Sequence, residues 1–328
     1  MQQRAYDGSI LPRREFLRRS TIGAVALAAL GSGVAHGGSR SVLAELTADP
    51  SGAMPSQPIA AVAVMGRSVV SVGGVRGAPS VWRRSGLDEP WFQVAGADAF
   101  PQGTALTALA VEGHRAVAVG CSGPDHATRP AIFSSRDLRS WTAETDLDLP
   151  FGVLTGVASS GGCLVVGARF AEPDVEEPVE TIAYQRGVSG RWVPVAMPGV
   201  RPVRHGAVTL LAGIGDRLML GLTDVQGLDL LTAPDVKGPW RSMGAPDVGI
   251  PLAPVAAAAV AGSTLLAGID ALDRARFWRR AGRSWIEVDP PSGVGASIKV
   301  HDLGRSGDAL IVAGSRGHRG FLREVKVS

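Results

Sequence analysis

The chain has 328 residues with 33 Lys and Arg against 30 Asp and Glu, and its first 37 residues hold five of those arginines and two of those acids. Residues 38–328 carry 28 basic and 28 acidic residues. Such a neutral surface has no long-range pull on phosphate, which supplies most non-specific nucleic-acid affinity, so a nucleic-acid partner is excluded. Their length, about 290 residues, allows one large domain or two ordinary ones.

Arg13, Arg14, Arg18 and Arg19 precede an apolar stretch from Ile22 to Leu30 that is too short for a good membrane span. Gly33-Val34-Ala35 offers small residues to a signal peptidase, which places cleavage after Ala35, and no Cys lies nearby for lipid attachment. The run Arg13-Arg14-Glu15-Phe16-Leu17-Arg18 resembles the twin-arginine export consensus, with Pro12 where Ser or Thr is usual. The resemblance implies a targeting role for Arg13, Arg14, Phe16 and Leu17, with the twin-arginine export machinery as a partner. It also implies folding before transport and a mature protein outside the cytoplasmic membrane, off the membrane once the signal is removed. Residues 1–37 are thus expected to be a signal peptide and 38–328 the mature domain.

A strand ending in glycine then recurs, anchored at Gly73, Gly120, Gly167, Gly221, Gly268 and Gly314 with spacings of 47, 47, 54, 47 and 46. A second marker, Trp91, Trp141, Trp192, Trp240 and Trp285, recurs at 50, 51, 48 and 45. Two markers sharing one period define a repeat. Each period reads as four short strands. Strand a is small and apolar (Ala60–Val64, Thr107–Val111, Ala256–Val260), and strand b is the Val/Leu-rich run into the anchor glycine. Strand c carries an aromatic residue (Trp82, Phe133, Tyr184, Trp278), and strand d opens on the marker tryptophan. This pattern predicts an all-β fold, a six-bladed β-propeller of four-stranded antiparallel blades. The blades fall near 58–95, 105–145, 153–196, 207–243, 254–289 and 298–328. The last repeat stops after strand c. One period before Trp91 lies Ala44, so residues 42–47 are expected to supply the missing strand and close the ring. Cys121 and Cys163 fall at opposite ends of neighbouring strands, five positions of about 3.3 Å apart, which predicts buried thiols rather than a disulfide.

The c–d turns Ser85–Trp91, Ser135–Trp141 and Ala233–Trp240 resemble degenerate copies of the Asp-box, Ser/Thr-x-Asp-x-Gly-x-x-Trp, of sialidase-like propellers. In that family the box is a folding element away from the active site, so the resemblance implies fold and not catalysis. A retaining sialidase needs a Tyr nucleophile beside a carboxylate and an arginine cluster. Tyr184, with Glu180 four residues before it, occupies the strand-c aromatic slot instead, which predicts packing. The mature histidines are scattered, and the acidic run from Glu172 to Glu180 is broken by Pro173 and Pro178, so no metal or other cofactor is expected.

Two features stand out. The b–c loops of repeats two and three are long (Ser122–Arg129 and Arg169–Val179), which makes Asp125, His126 and Arg129 binding candidates on the loop face. In repeat six Asp302 replaces Ala61, Ala108, Thr155, Thr209 and Ala256 of the other repeats. A carboxylate beside the channel costs desolvation unless satisfied, so His301 and Asp302 are candidates at the channel mouth. The function expected is an exported, non-catalytic binding module for protein or glycan. The alternative is a glycoside hydrolase or lyase of sialidase-like type with a non-standard site at the channel mouth.

Overall fold

A computed structural model describes residues 58–75, 77–85, 89–124, 128–144, 147, 151–160, 162–170, 178–200, 207–224, 227–246, 252–270, 274–295, 297–317 and 319–326. The targeting residues Arg13, Arg14, Phe16 and Leu17, the segment 42–47, and Asp125 and His126 lie outside them. The described strands form six antiparallel sheets, each in chain order. Blade 1 is β1 (Ile59–Met65), β2 (Ser68–Val75), β3 (Ala78–Arg84) and β4 (Phe92–Ala95). Blade 2 is β5 (Ala105–Glu112), β6 (Arg115–Ser122), β7 (Arg129–Ser135) and β8 (Thr142–Ala143). Blade 3 is β9 (Gly152–Ser159), β10 (Cys163–Phe170), β11 (Pro178–Arg186) and β12 (Trp192–Pro194). Blade 4 is β13 (Ala207–Ile214), β14 (Arg217–Asp224), β15 (Gly227–Ala233) and β16 (Arg241–Ser242). Blade 5 is β17 (Leu252–Val260), β18 (Ser263–Asp270), β19 (Ala275–Ala281) and β20 (Ser284–Val288). Blade 6 has three described strands, β21 (Lys299–Ser306), β22 (Ala309–Arg316) and β23 (Arg319–Lys326). The first strands β1, β5, β9, β13, β17 and β21 pack side by side in that order, and β21 returns to β1. The chain is a six-bladed β-propeller.

The recurring glycine has a steric cause that the sequence does not display. Every first strand carries a β-bulge near its start, which leaves Ala60, Thr107, Thr155, Thr209, Val255 and His301 without an opposite residue. The bulge bends the strand and pushes a backbone carbonyl toward the second strand. In five blades the residue before the bulge pairs with the anchor glycine: Ile59 with Gly73, Leu106 with Gly120, Leu154 with Gly167, Pro254 with Gly268, and Val300 with Gly314. A Cβ on Gly120 would overlap Ala105 O and stand 3.0 Å from Ala105 C, and one on Gly314 would overlap Lys299 O. Blade 4 departs by one position, since Leu222 takes the glycine's place opposite Val208 and Gly221 faces Leu210. The register also corrects the alignment of repeat six. Thr155 and Thr209 are equivalents of His301, and those of Asp302 are Ala61, Ala108, Gly156, Leu210 and Ala256.

The core lies between the blades. Six clusters of buried side chains fill the six seams, from blades 1 and 2 (Val81, Phe133) round to blades 6 and 1 (Leu322, Val62). Strand-c aromatics face the preceding blade: Phe133 packs on blade 1, Tyr184 on blade 2, Trp278 on blade 4 and Trp82 on blade 6. Tyr184 is therefore part of a seam. Cys121 and Cys163 are buried thiols with no disulfide. Because each blade runs up and down, the a–b and c–d turns leave one face, and the b–c loops and interblade connections leave the other, the loop face.

Candidate functional site

The His301-Asp302 pair sits at the seam where the ring closes. Asp302 Oδ2 accepts the Val62 N–H of blade 1 at 2.8 Å, and Oδ1 accepts the Leu303 N–H at 2.8 Å. His301 Nδ1 lies 2.6 Å from Ile59 O, also on blade 1. A carbonyl only accepts, so the proton is assigned to Nδ1, and Nε2 then accepts from the Ser315 hydroxyl at 3.4 Å. Burial lowers the imidazole pKa and keeps it neutral. Burial raises the Asp302 carboxyl to about 7, against which the Val62 and Leu303 N–H groups hold it down. Thr107 shows what the bulge residue does elsewhere, because its hydroxyl lies 2.7 Å from Leu154 O of the next blade. Leu154 precedes its own bulge just as Ile59 does. His301 thus makes at the closing seam the bond that Thr107 makes between blades 2 and 3.

Ser315 and His301 suggest a nucleophile and base, but Ser315 is fully buried and the far imidazole nitrogen is tied to a backbone carbonyl rather than a carboxylate. Arg129 is exposed at the loop-face end of β7, on blade 2, so blade 1 stands between it and His301. The structure brings His301 and Asp302 together with Ile59, Val62 and Ser315, and does not bring Arg129 to them.

Blade 5 displays a charged group on the loop face that sequence reasoning missed. The Asp270 side chain is 6% exposed and accepts from Arg274 three times, at the backbone N (3.0 Å), Nε (2.9 Å) and Nη2 (2.8 Å). Arg276 Nη2 donates to Glu287 Oε2 at 2.9 Å, and its Nε stands 2.6 Å from Oε1 as an ion-pair contact without hydrogen-bond alignment. On blade 3, Arg169 pairs with Glu180 at 2.9 Å. The only trace of this in the sequence is the crowding of Asp270, Asp273, Arg274 and Arg276 just after the anchor glycine. Chemically, these are partly exposed guanidinium groups held by carboxylates, of which Asp270 is buried and Glu180 and Glu287 are open to solvent, so a ligand carboxylate or hydroxyl can exchange for the two glutamates. The strands also run further than the long loop of repeat three implied, since Arg169 and Phe170 pair with Glu180 and Pro178.

The opposite face is built for cohesion. Between blades 2 and 3, Glu144 accepts from the Trp192 indole N–H, from Ser134 Oγ (2.6 Å) and from Arg186 Nη2 (3.0 Å). Arg186 also lies over the Trp192 ring at 5.8 Å and reaches Glu112 at 3.4 Å. Burial raises the Glu112 pKa, and burial with both carboxylates drives the Cys163 thiol well above its usual range. Blades 4 and 5 repeat the device, with Arg280 over Trp285 and the Trp285 N–H donating to Gly244 O at 2.9 Å. At the c–d turn of blade 2, Asp137 Oδ1 accepts from Ser140 N (2.8 Å) and Arg139 N (2.9 Å), which lowers its carboxyl to about 2. Among the described residues, no group of three or more His, Cys, Asp or Glu is placed to hold a metal ion.

No family model matches the chain, and no curated protein matches it in sequence. Solved structures share its fold. YjhT aligns with a TM-score of 0.56 at 11% identity, covering 85% of this chain and 96% of that one. A Trypanosoma rangeli sialidase in complex with the inhibitor DANA aligns at 0.57 and 12% identity, over 84% of this chain and 55% of that one. The GH74 xyloglucanase from Xanthomonas campestris aligns at 0.50 and 15% identity, over 79% and 45%. At these identities the likeness is one of fold.

Proposed function

We propose that the chain is an exported β-propeller that binds a protein or glycan ligand through its loop face without transforming it. One observation carries the reading. Among the described residues, the charged pairs of that face with side chains open to solvent are Arg169–Glu180 of blade 3 and Arg274–Asp270 and Arg276–Glu287 of blade 5, beside the exposed Arg129, Arg316 and Arg319, whereas His301 and Asp302 are committed to hydrogen bonds within the ring. Exposed forks of this kind suit hydroxyl-rich or anionic ligands. Export rests on the Arg13-Arg14 pair before Phe16-Leu17, which would bring in the twin-arginine machinery and leave the mature protein beyond the cytoplasmic membrane. The degenerate Asp-box turns belong to the same reading, as folding elements of a sialidase-like propeller. The test is a panel of neutral and acidic oligosaccharides and peptides applied to the mature protein. Arg274→Ala with Arg276→Ala should weaken the ligand found by about tenfold or more, the equivalent of about 1.4 kcal/mol. Turnover of any glycoside, abolished by Asp302→Ala in a folded variant, would favour the hydrolase reading instead.

A further inference from the structure

Blades 1 to 5 each end on a strand d whose outer edge pairs with no other described strand. Four of these edges are short, since β4, β8, β12 and β16 have four, two, three and two residues. A short edge gives another strand little to pair with. The exception is β20, which has five residues and leaves a hairpin whose turn is Gly282-Arg283. Residues that flank a two-residue turn exchange hydrogen bonds, and bonded and non-bonded pairs alternate from there. Ser284, Ile286 and Val288 therefore spend their backbone groups on Ala281, Arg279 and Phe277 of β19. The N–H and C=O of Trp285 and Glu287 point outward along the edge. Ile286 lies between them and is 49% exposed.

We infer that β20 is the seam of a homodimer, pairing antiparallel with β20 of a second copy about a two-fold axis at Ile286. A two-fold interface must be complementary to itself, and this edge is. The axis sets Ile286 against Ile286 of the second copy as a non-hydrogen-bonded pair, the kind in which side chains approach more closely. Trp285 then falls opposite Glu287 of the second copy, and these are the residues whose backbone groups face outward to exchange bonds. One step further out, Arg283 falls opposite Asp289 of the second copy, at both ends of the seam. Both residues are exposed, and neither has an ion pair among the described residues. The other edges with an exposed apolar residue fail one of these conditions. β12 carries Val193 but ends on Pro194, which has no N–H to donate. β4 carries Phe92 between Glu89 and Asp98, with acids on both sides.

The test is sedimentation equilibrium of the mature protein across a wide range of concentration, which should show a dimer mass at the upper end. Ile286→Lys should give the monomer mass throughout, with the β-sheet circular dichroism of the native chain. Arg283→Glu turns two attractive contacts into repulsive ones and should weaken the dimer by about tenfold, and adding Asp289→Arg should restore it. Phe92→Lys and Val193→Lys should leave the dimer unchanged. A monomer at every concentration would overturn the inference. So would a dimer indifferent to Ile286→Lys or to Arg283→Glu, or a loss in Arg283→Glu that Asp289→Arg does not repair.

Discussion

Asp302 gives the closing seam a pH dependence that can be worked out before measurement. Its carboxyl titrates near 7 in the folded ring against an ordinary value of 3.8. Between those values the folded protein holds a proton that the unfolded chain has released. Stability from this group is therefore greatest below pH 4, falls as pH rises toward 7, and is level above it. A shift of about three units corresponds to about 4 kcal/mol. The channel edge of β21 leaves the residue partly accessible, so screening trims the figure toward about 2 kcal/mol. Its neighbour His301 pulls the other way. Its pKa is lowered, so the stability it contributes is present above its unfolded value near 6.5 and is lost as pH falls. Lys299, on the same strand, pushes the imidazole in that direction. Comparing the native chain with Asp302→Ala at each pH subtracts these common contributions. Only the part of the shift between pH 5 and about 7 falls in the window, so urea unfolding at pH 5 and pH 8 should show the native chain losing its advantage over the variant by about 1–3 kcal/mol between the two. A difference constant within about 0.5 kcal/mol would refute the placement of a buried, protonatable carboxyl at the seam.

The bulge argument makes glycine substitutions unequal. Gly120→Ala should cost about 3 kcal/mol or abolish folding, because its Cβ meets the Ala105 carbonyl, whereas Gly307→Ala, at φ +59 with nothing within 4 Å, should cost about 1–2 kcal/mol in the same thermal melts. Trp192→Phe keeps the ring but removes the donor to Glu144, and should destabilise by about 1–3 kcal/mol in denaturant titration. Changing Arg13 and Arg14 to lysine should leave the protein in the cytoplasm on fractionation, and unchanged export would sink the twin-arginine assignment.

The features legible in the sequence are those that sterics force to recur. The anchor glycines are legible because a bulged neighbour leaves no room for a side chain, and that demand is local to each blade. The bulge itself is not legible, since its six positions hold three threonines (Thr107, Thr155, Thr209) but also Ala60, Val255 and His301, with no one side chain common to all. A bulge needs a backbone conformation that many residues adopt. Without it, the alignment of repeats three and four shifts by one place and Asp302 looks like a replacement for two threonines. The strand-c aromatics and marker tryptophans are legible for the same reason as the glycines. Their partners are not. Glu144 serves Trp192 from 48 residues away, while a backbone carbonyl, Gly244 O, serves Trp285. A seam requires only an acceptor at a given point in space and is indifferent to which residue supplies it.

The same distinction bears on function. A propeller closes by making its last seam equivalent to the others, yet the last seam joins segments that are far apart in sequence. Here equivalence is met with different chemistry: His301 and Asp302 of β21 bind Ile59 O and Val62 N across 242 and 240 residues. Elsewhere a threonine does this, at a spacing of one blade. A residue that breaks the repeat is therefore ambiguous between a ligand site and a closure device, and burial of its polar atoms decides. Both oxygens of Asp302 and the Nδ1 of His301 are spent on backbone, which assigns the pair to closure. By the same criterion, polar groups that the fold holds but leaves partly open to solvent are where binding should be sought, and among the described residues of the loop face the arginine pairs on blades 3 and 5 meet it.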